Sequence, residues 1–198
     1  MSSAVVGARL PQGFSKLLDD MNSRSHRVTL WFFMAVVVAH WAEHLAQAVQ
    51  IWVLGWERPA SKGVLGLALP WLVESETLHY AYAIIMLVGL VLLREAFVGT
   101  SRAWWNTALI IQFWHHFEHA LLLGQAVVGA NLLGRPVPTS IAQLIIPRVE
   151  LHLLYNALVF IPMLIAMYYH VRPPAADLAE MNCTCAAHSP ASAAARAT

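Results

Sequence analysis

Four apolar stretches dominate the chain, at residues 28–54, 71–93, 103–128 and 149–171. Each exceeds the roughly 20 residues that a helix needs to cross a hydrocarbon core about 30 Å thick. None alternates with a two-residue period, so these are helices rather than barrel strands. The composition agrees, with 59% hydrophobic and 12% charged residues in 198. A soluble domain carries about twice that charge. The net charge of +1 gives no basic footprint for nucleic acid. The expected fold class is an all-α membrane protein, a four-helix transmembrane bundle.

The basic residues set an expected orientation. Arg9, Lys16, Arg24 and Arg27 precede the first stretch, Arg94 and Arg102 lie between the second and third, and Arg172 and Arg196 follow the fourth. Only Arg58, Lys62, Arg135 and Arg148 fall on the other side. The excess places both termini in the cytoplasm of a multi-pass plasma-membrane protein. Trp52, Trp56 and Trp71 at one interface, and Trp31, Trp104 and Trp105 at the other, read as aromatic belts. Residues 1–27 lack the apolar core of a signal peptide and form an N-terminal arm, with a short surface helix near 14–21. Residues 172–198 read as a mobile tail rich in Pro, Ala and Ser.

The chain repeats itself. His40, Glu43, His44 and Gln50 recur as His115, Glu118, His119 and Gln125, with identical spacing. An H-x-x-E-H run is rare on composition alone, so one copy is already unusual. A weaker pair, Leu78-His79 with Tyr82 and Leu151-His152 with Tyr155, matches the second and fourth stretches. Two tandem hairpins, about 28–98 and 103–171, should therefore be related by a pseudo-two-fold axis along the membrane normal.

At 100° per residue each His-x-x-Glu-His set occupies one helical stripe. Counting from the flanking arginines puts His40, His44, His79, His115 and His119 about 20–25 Å into the membrane. His152 is slightly out of register. A glutamate within a span costs about 2.5–3.5 kcal/mol on insertion scales, so Glu43 and Glu118 mark function. Imidazole and carboxylate are ligands for Fe, Cu and Zn, and the cation offsets the buried carboxylates. The expected metal ligands are His40, Glu43, His44, His79, His115, Glu118, His119 and His152, enough for two transition-metal ions, iron foremost. Of Glu43 and Glu118, one would also serve as a proton acceptor, and Tyr82 and Tyr155 would be hydrogen-bonding tuners of the site. A purely structural His/Glu network and a metal-free proton relay are the blander alternatives.

Other polar residues read differently. Gln50 and Gln125 suit interhelical hydrogen bonds, and His116 an interface with a neighbouring helix. Glu76 reads as an interfacial carboxylate, and Glu150 as facing away from His152. His26, His170 and His188 read as solvated, and Cys183-Thr-Cys185 with His188 as a weak soft-metal signal.

H-x-x-E-H is also the inverzincin order, but a doubled motif inside membrane spans does not suit a protease. The expected function is a dinuclear membrane oxidoreductase acting on O₂ or an apolar, lipid-like substrate, supplied by an electron donor. The alternatives are a haem b electron carrier with Gly89, Gly124 and Gly129 making room, a zinc-dependent hydrolase, and a metal transporter or sensor. Transport needs polar residues below the histidines, and in the first and third spans only Thr29, Asn106, Thr107 and Gln112 are polar there.

Overall fold

A computed structural model of the protein describes residues 12–183 and 185. Among these residues every regular element is helical. A short helix α1 (Gln12–Asn22) precedes α2 (His26–Trp52). Two small helices, α3 (Gly63–Ala68) and α4 (Trp71–Glu74), lead into α5 (Glu76–Leu92). The long α6 (Gly99–Val128) and α7 (Arg148–Val171) follow, and α8 (Ala175–Leu178) is the last helix among the described residues. The surface helix expected near 14–21 is α1, which buries no residue.

Three segments are long and apolar enough to cross a membrane: His26–Trp52, Glu76–Ala96 and Arg148–Val171. The expectation of four such spans is met for these three. The longest helix, α6, stays outside the group because its Asn, Gln, His and Glu residues lower its mean hydropathy. Those residues point inward: Gln112, Glu118, His119 and Gln125 are all buried. Helix α6 packs against both α5 and α7, and α2 leans on α7.

The second predicted stretch, 71–93, is not one helix. The backbone at Ser75 is extended, and its hydroxyl accepts from Leu78 N–H as the N-cap of α5. A serine followed by Glu76 in the first turn is a favourable helix start. Helix α6 ends at Gly129, whose φ of +70° is the left-handed C-cap that glycine adopts without strain. Helix α7 runs unbroken through Pro162.

The apolar core lies toward the end where α5 and α7 finish, here the lower end. It joins Leu30, Phe33 and Val37 of α2 to Leu90, Trp105 and Met163. Trp105, expected at an interfacial belt, is fully buried. Its ring stacks on Phe97 with centroids 4.1 Å apart, and its Nε1–H donates to Leu90 O at 2.8 Å. The last four carbonyls of a helix lack intrahelical partners, so Trp105 satisfies one for α5. Asn22 satisfies another, donating to Leu92 O at 2.7 Å.

The segment after α7 also departs from expectation. Residues 173–183 fold back on the lower end: Asp177 accepts from Thr100 N–H, and Cys183 is buried. A Cβ on Gly99 would lie 2.2 Å from the Asp177 carboxylate, so this docking requires glycine there. The expected mobility of residues 186–198 and the arm 1–11 lie outside the described residues.

Trp105→Phe keeps the ring but orphans the Leu90 carbonyl and should cost about 1–3 kcal/mol of stability. Trp105→Ala should cost about 3–5 kcal/mol. Equilibrium unfolding of the purified protein in detergent, compared with wild type, measures both.

Candidate metal centre

The upper end is where α2 and α6 finish, and the His-x-x-Glu-His stripes lie there. In α2, His44 Nδ1 donates to Gln47 Oε1 at 2.9 Å. This leaves His44 Nε2 to accept from His40 Nε2 at 3.0 Å. In α6 the equivalent pair, His115 and His119, has its Nε2 atoms 3.2 Å apart. Both Nδ1 atoms of that pair are buried without partners.

His79 and His152 come from α5 and α7. Each donates Nδ1–H to the carbonyl four residues earlier, Ser75 at 3.1 Å and Arg148 at 2.7 Å. The same tautomer follows in both rings, with the lone pair on Nε2. His152 Nε2 is buried and has no partner. The His152 ring lies 5.2–6.1 Å from the rings of His44, His79, His115 and His119. His79 also stacks with His119 at 6.2 Å. All six predicted histidines thus form one continuous cluster, and the register mismatch of His152 does not exclude it. Tyr82 stacks on His40 at 3.6 Å, and the Tyr155 ring lies tilted against His115 at 4.4 Å. The Tyr82 hydroxyl is buried without a partner.

The glutamates are engaged differently from the ligand role expected of them. Glu43 Oε1 accepts from Leu65 N–H at 2.9 Å. Glu118 Oε1 accepts from Ala142 N–H at 2.8 Å, and its Oε2 from the Ser140 hydroxyl at 3.3 Å. Each carboxylate therefore holds the segment that caps its own hairpin. Glu118 still borders a small void with His115, His119 and His152. Glu43 Oε2 is buried and unpartnered, pressed against Gly63. Gly63 has a φ of +76°, and a Cβ there would lie 2.2 Å from that oxygen, so both backbone and space demand glycine.

Gln50 and Gln125 make the matching second latch: Gln50 forms the interhelical bond expected of it, from α2 to α3, whereas Gln125 holds the segment after α6. Gln50 accepts from Gly63 N–H at 2.8 Å and donates to Gly63 O at 3.1 Å. Gln125 accepts from Thr139 N–H at 3.2 Å and donates to Thr139 O at 3.0 Å. It also accepts from Leu132 N–H at 2.7 Å. The two segments so held, residues 53–75 and 129–147, lie over the histidines.

Ion pairs join the rim. Arg148 grips Glu76 with two bonds, 2.6 and 2.8 Å, so Glu76 is an ion-pair partner rather than a lone interfacial carboxylate. Arg58 reaches Glu150, and Lys62 reaches Glu74, both at 2.7 Å. Between these groups a cleft of about 680 Å³ descends to His44, His79 and His152. Directly below the cluster lies a void of about 20 Å³, above Val37, Met86 and Val159. His116 stays outside the cluster, stacking on Tyr80 of α5 at 5.2 Å as a helix-interface residue.

Two expected solvated histidines are not solvated. His26 and His170 are fully buried at the lower end. One donor atom from each lies with Cys185 in a set no more than 4.8 Å across, the tightest triad of metal-type donors among the described residues. The C-x-C pair was the only trace of it in the sequence. Its suggested partner His188 lies outside the described residues.

Gln125→Leu should strand the amide hydrogens of Leu132 and Thr139 at a cost of about 1–3 kcal/mol. Hydrogen exchange should show their protection falling about tenfold or more, with the histidine-bearing helices unchanged. No family model, curated protein or solved structure matches this chain.

Proposed function

We propose that this is a multi-pass plasma-membrane metalloprotein that holds two transition-metal ions among the six histidines. In this reading all four long helices cross the bilayer, α6 included, as two hairpins related by a pseudo-two-fold axis along the membrane normal. Both termini face the cytoplasm. Ile110, Phe113 and Phe117 give α6 an exposed apolar flank suited to lipid. The paired latches of Gln50 with Gly63 and Gln125 with Thr139 support the repeat.

The observation that carries the proposal is the tautomer of His79 and His152. A metal-ligating histidine donates its other ring N–H to a carbonyl or carboxylate, which fixes the ring and presents a lone pair. Both rings do this on the backbone of their own helix. Three ring nitrogens in the cluster are buried with no partner: His115 Nδ1, His119 Nδ1 and His152 Nε2. Left alone, each costs about 1–3 kcal/mol. A cation satisfies those that carry lone pairs.

His40, His44, His79, His115, His119 and His152 would hold the ions, and bound iron or copper would supply electron transfer while zinc would supply Lewis acidity. Glu118, beside three of these rings, would take up protons, and Glu43 would do so through its unpartnered oxygen. Tyr82 and Tyr155 would fix the outer rings by packing against them. The upper cleft admits O₂ or the polar end of a lipid-like substrate, and an electron donor would complete an oxidoreductase.

The polar, ion-paired lining of that cleft also favours a second reading, a zinc-dependent hydrolase of a lipid-like substrate. Transport fits less well, because the cluster opens upward and the core closes it below. Haem b fits poorly as well: the facing rings leave no slot for a macrocycle, and Gly89 is filled by the Phe33 ring.

Metal analysis and an optical spectrum of the purified protein test this. His44→Ala and His119→Ala should each lower bound metal by about one equivalent per chain. Unchanged metal content in both variants would overturn the proposal, and a Soret band would replace it with haem.

A further inference from the structure

The lower end carries a second donor set that the histidine layer does not use. His26 opens α2, His170 nearly closes α7, and Cys183 and Cys185 come from the segment beyond α8. We propose that these four residues bind one Zn²⁺ ion, which clamps the C-terminal segment onto the helices.

The donors are already gathered. One donor atom each from His26, His170 and Cys185 lies within 4.8 Å of the others. Cys183 Sγ is 3.3 Å from His170 Nε2, and the Cys185 thiol hydrogen-bonds to Cys183. The two imidazole rings meet edge to face at 5.1 Å. A Cys-x-Cys spacing lets both sulfurs turn to one centre. Two sulfurs and two nitrogens form the tetrahedral set that selects zinc over harder ions.

The ring nitrogens argue for a ligand rather than for packing alone. His26 Nδ1 donates to Met21 O at 3.2 Å, so its lone pair is on Nε2. That atom is buried and has no partner, and neither has His170 Nδ1. Phe97 covers both rings, at 5.7 and 4.5 Å, and keeps water from replacing the missing partner. The His26 carbonyl bond is again the support that ligating histidines use.

The location assigns the ion a role. It would join three segments distant in sequence: the start of α2, the end of α7 and the tail. Asp177, seated against Gly99, already holds that tail on the other flank. The site is remote from the histidine layer, about 21 Å from His40 along α2 at 1.5 Å per residue. The inference therefore stands whether or not the upper cluster binds metal.

Full-length protein in detergent, loaded with Co²⁺ in place of Zn²⁺, should show thiolate-to-cobalt charge-transfer absorption. The double variant C183S/C185S should lose that absorption and about one equivalent of bound zinc per chain. His44→Ala, whose side chain is remote from both cysteines, should keep the charge-transfer absorption. Zinc should also slow alkylation of the two cysteines, and a chelator should restore the rate. Absence of the charge-transfer band, zinc content unaltered in C183S/C185S, or alkylation indifferent to zinc would each overturn the site.

Discussion

A polar group on an apolar helix must find its partner within the protein, because hydrocarbon offers none. The upper half of this molecule is organised around that requirement. Helix α6 carries the heaviest polar load and takes the position between α5 and α7. Its Glu118, His119 and Gln125 are then buried among donors and acceptors rather than on its exposed apolar flank. The connecting segments are shaped by the same need. Residues 53–75 and 129–147 supply the backbone amides that Glu43, Gln50, Glu118 and Gln125 lack on their own helices. What the loops gain is order: each is held at two points to the helix that precedes it.

The molecule is divided along its length. Above, imidazoles and ion pairs surround a cleft; below, Leu30, Phe33, Leu90, Trp105 and Met163 pack into an apolar core. Close packing of this kind transmits position well. It fixes the rotation of α2 and α7, and with it the faces that His40, His44 and His152 present. The same rotation buries His26 and His170 at the opposite ends of these two helices.

Much of this was legible in the sequence. The six-histidine cluster was, because helical spacing and equal depth are properties of the chain itself. The two-latch pattern was half legible: the repeated glutamates and glutamines stood out, but their partners did not. Backbone amides have no sequence signature, so Leu65, Ala142, Gly63 and Thr139 could not be named in advance. The break at Ser75 was hidden by apolar neighbours that suit one long helix or two short ones. Trp105 misled because tryptophan serves interfaces and cores alike, and only the free Leu90 carbonyl decides between them. His26 and His170 misled for a different reason. Their burial depends on a tail that folds back, and periodicity says nothing about a segment without regular structure.

The latches of Gln50 and Gln125 carry one more consequence. Each side-chain amide meets both the N–H and the carbonyl of a single loop residue, so it must donate on one side and accept on the other. A carboxylate of the same size can only accept. Deamidation to glutamate would therefore set an anion against the carbonyl oxygen of Gly63 or Thr139 and turn half of the latch repulsive. The difference is one atom, an oxygen in place of a nitrogen. Deamidation at either glutamine would thus loosen the roof over the histidines without altering any histidine.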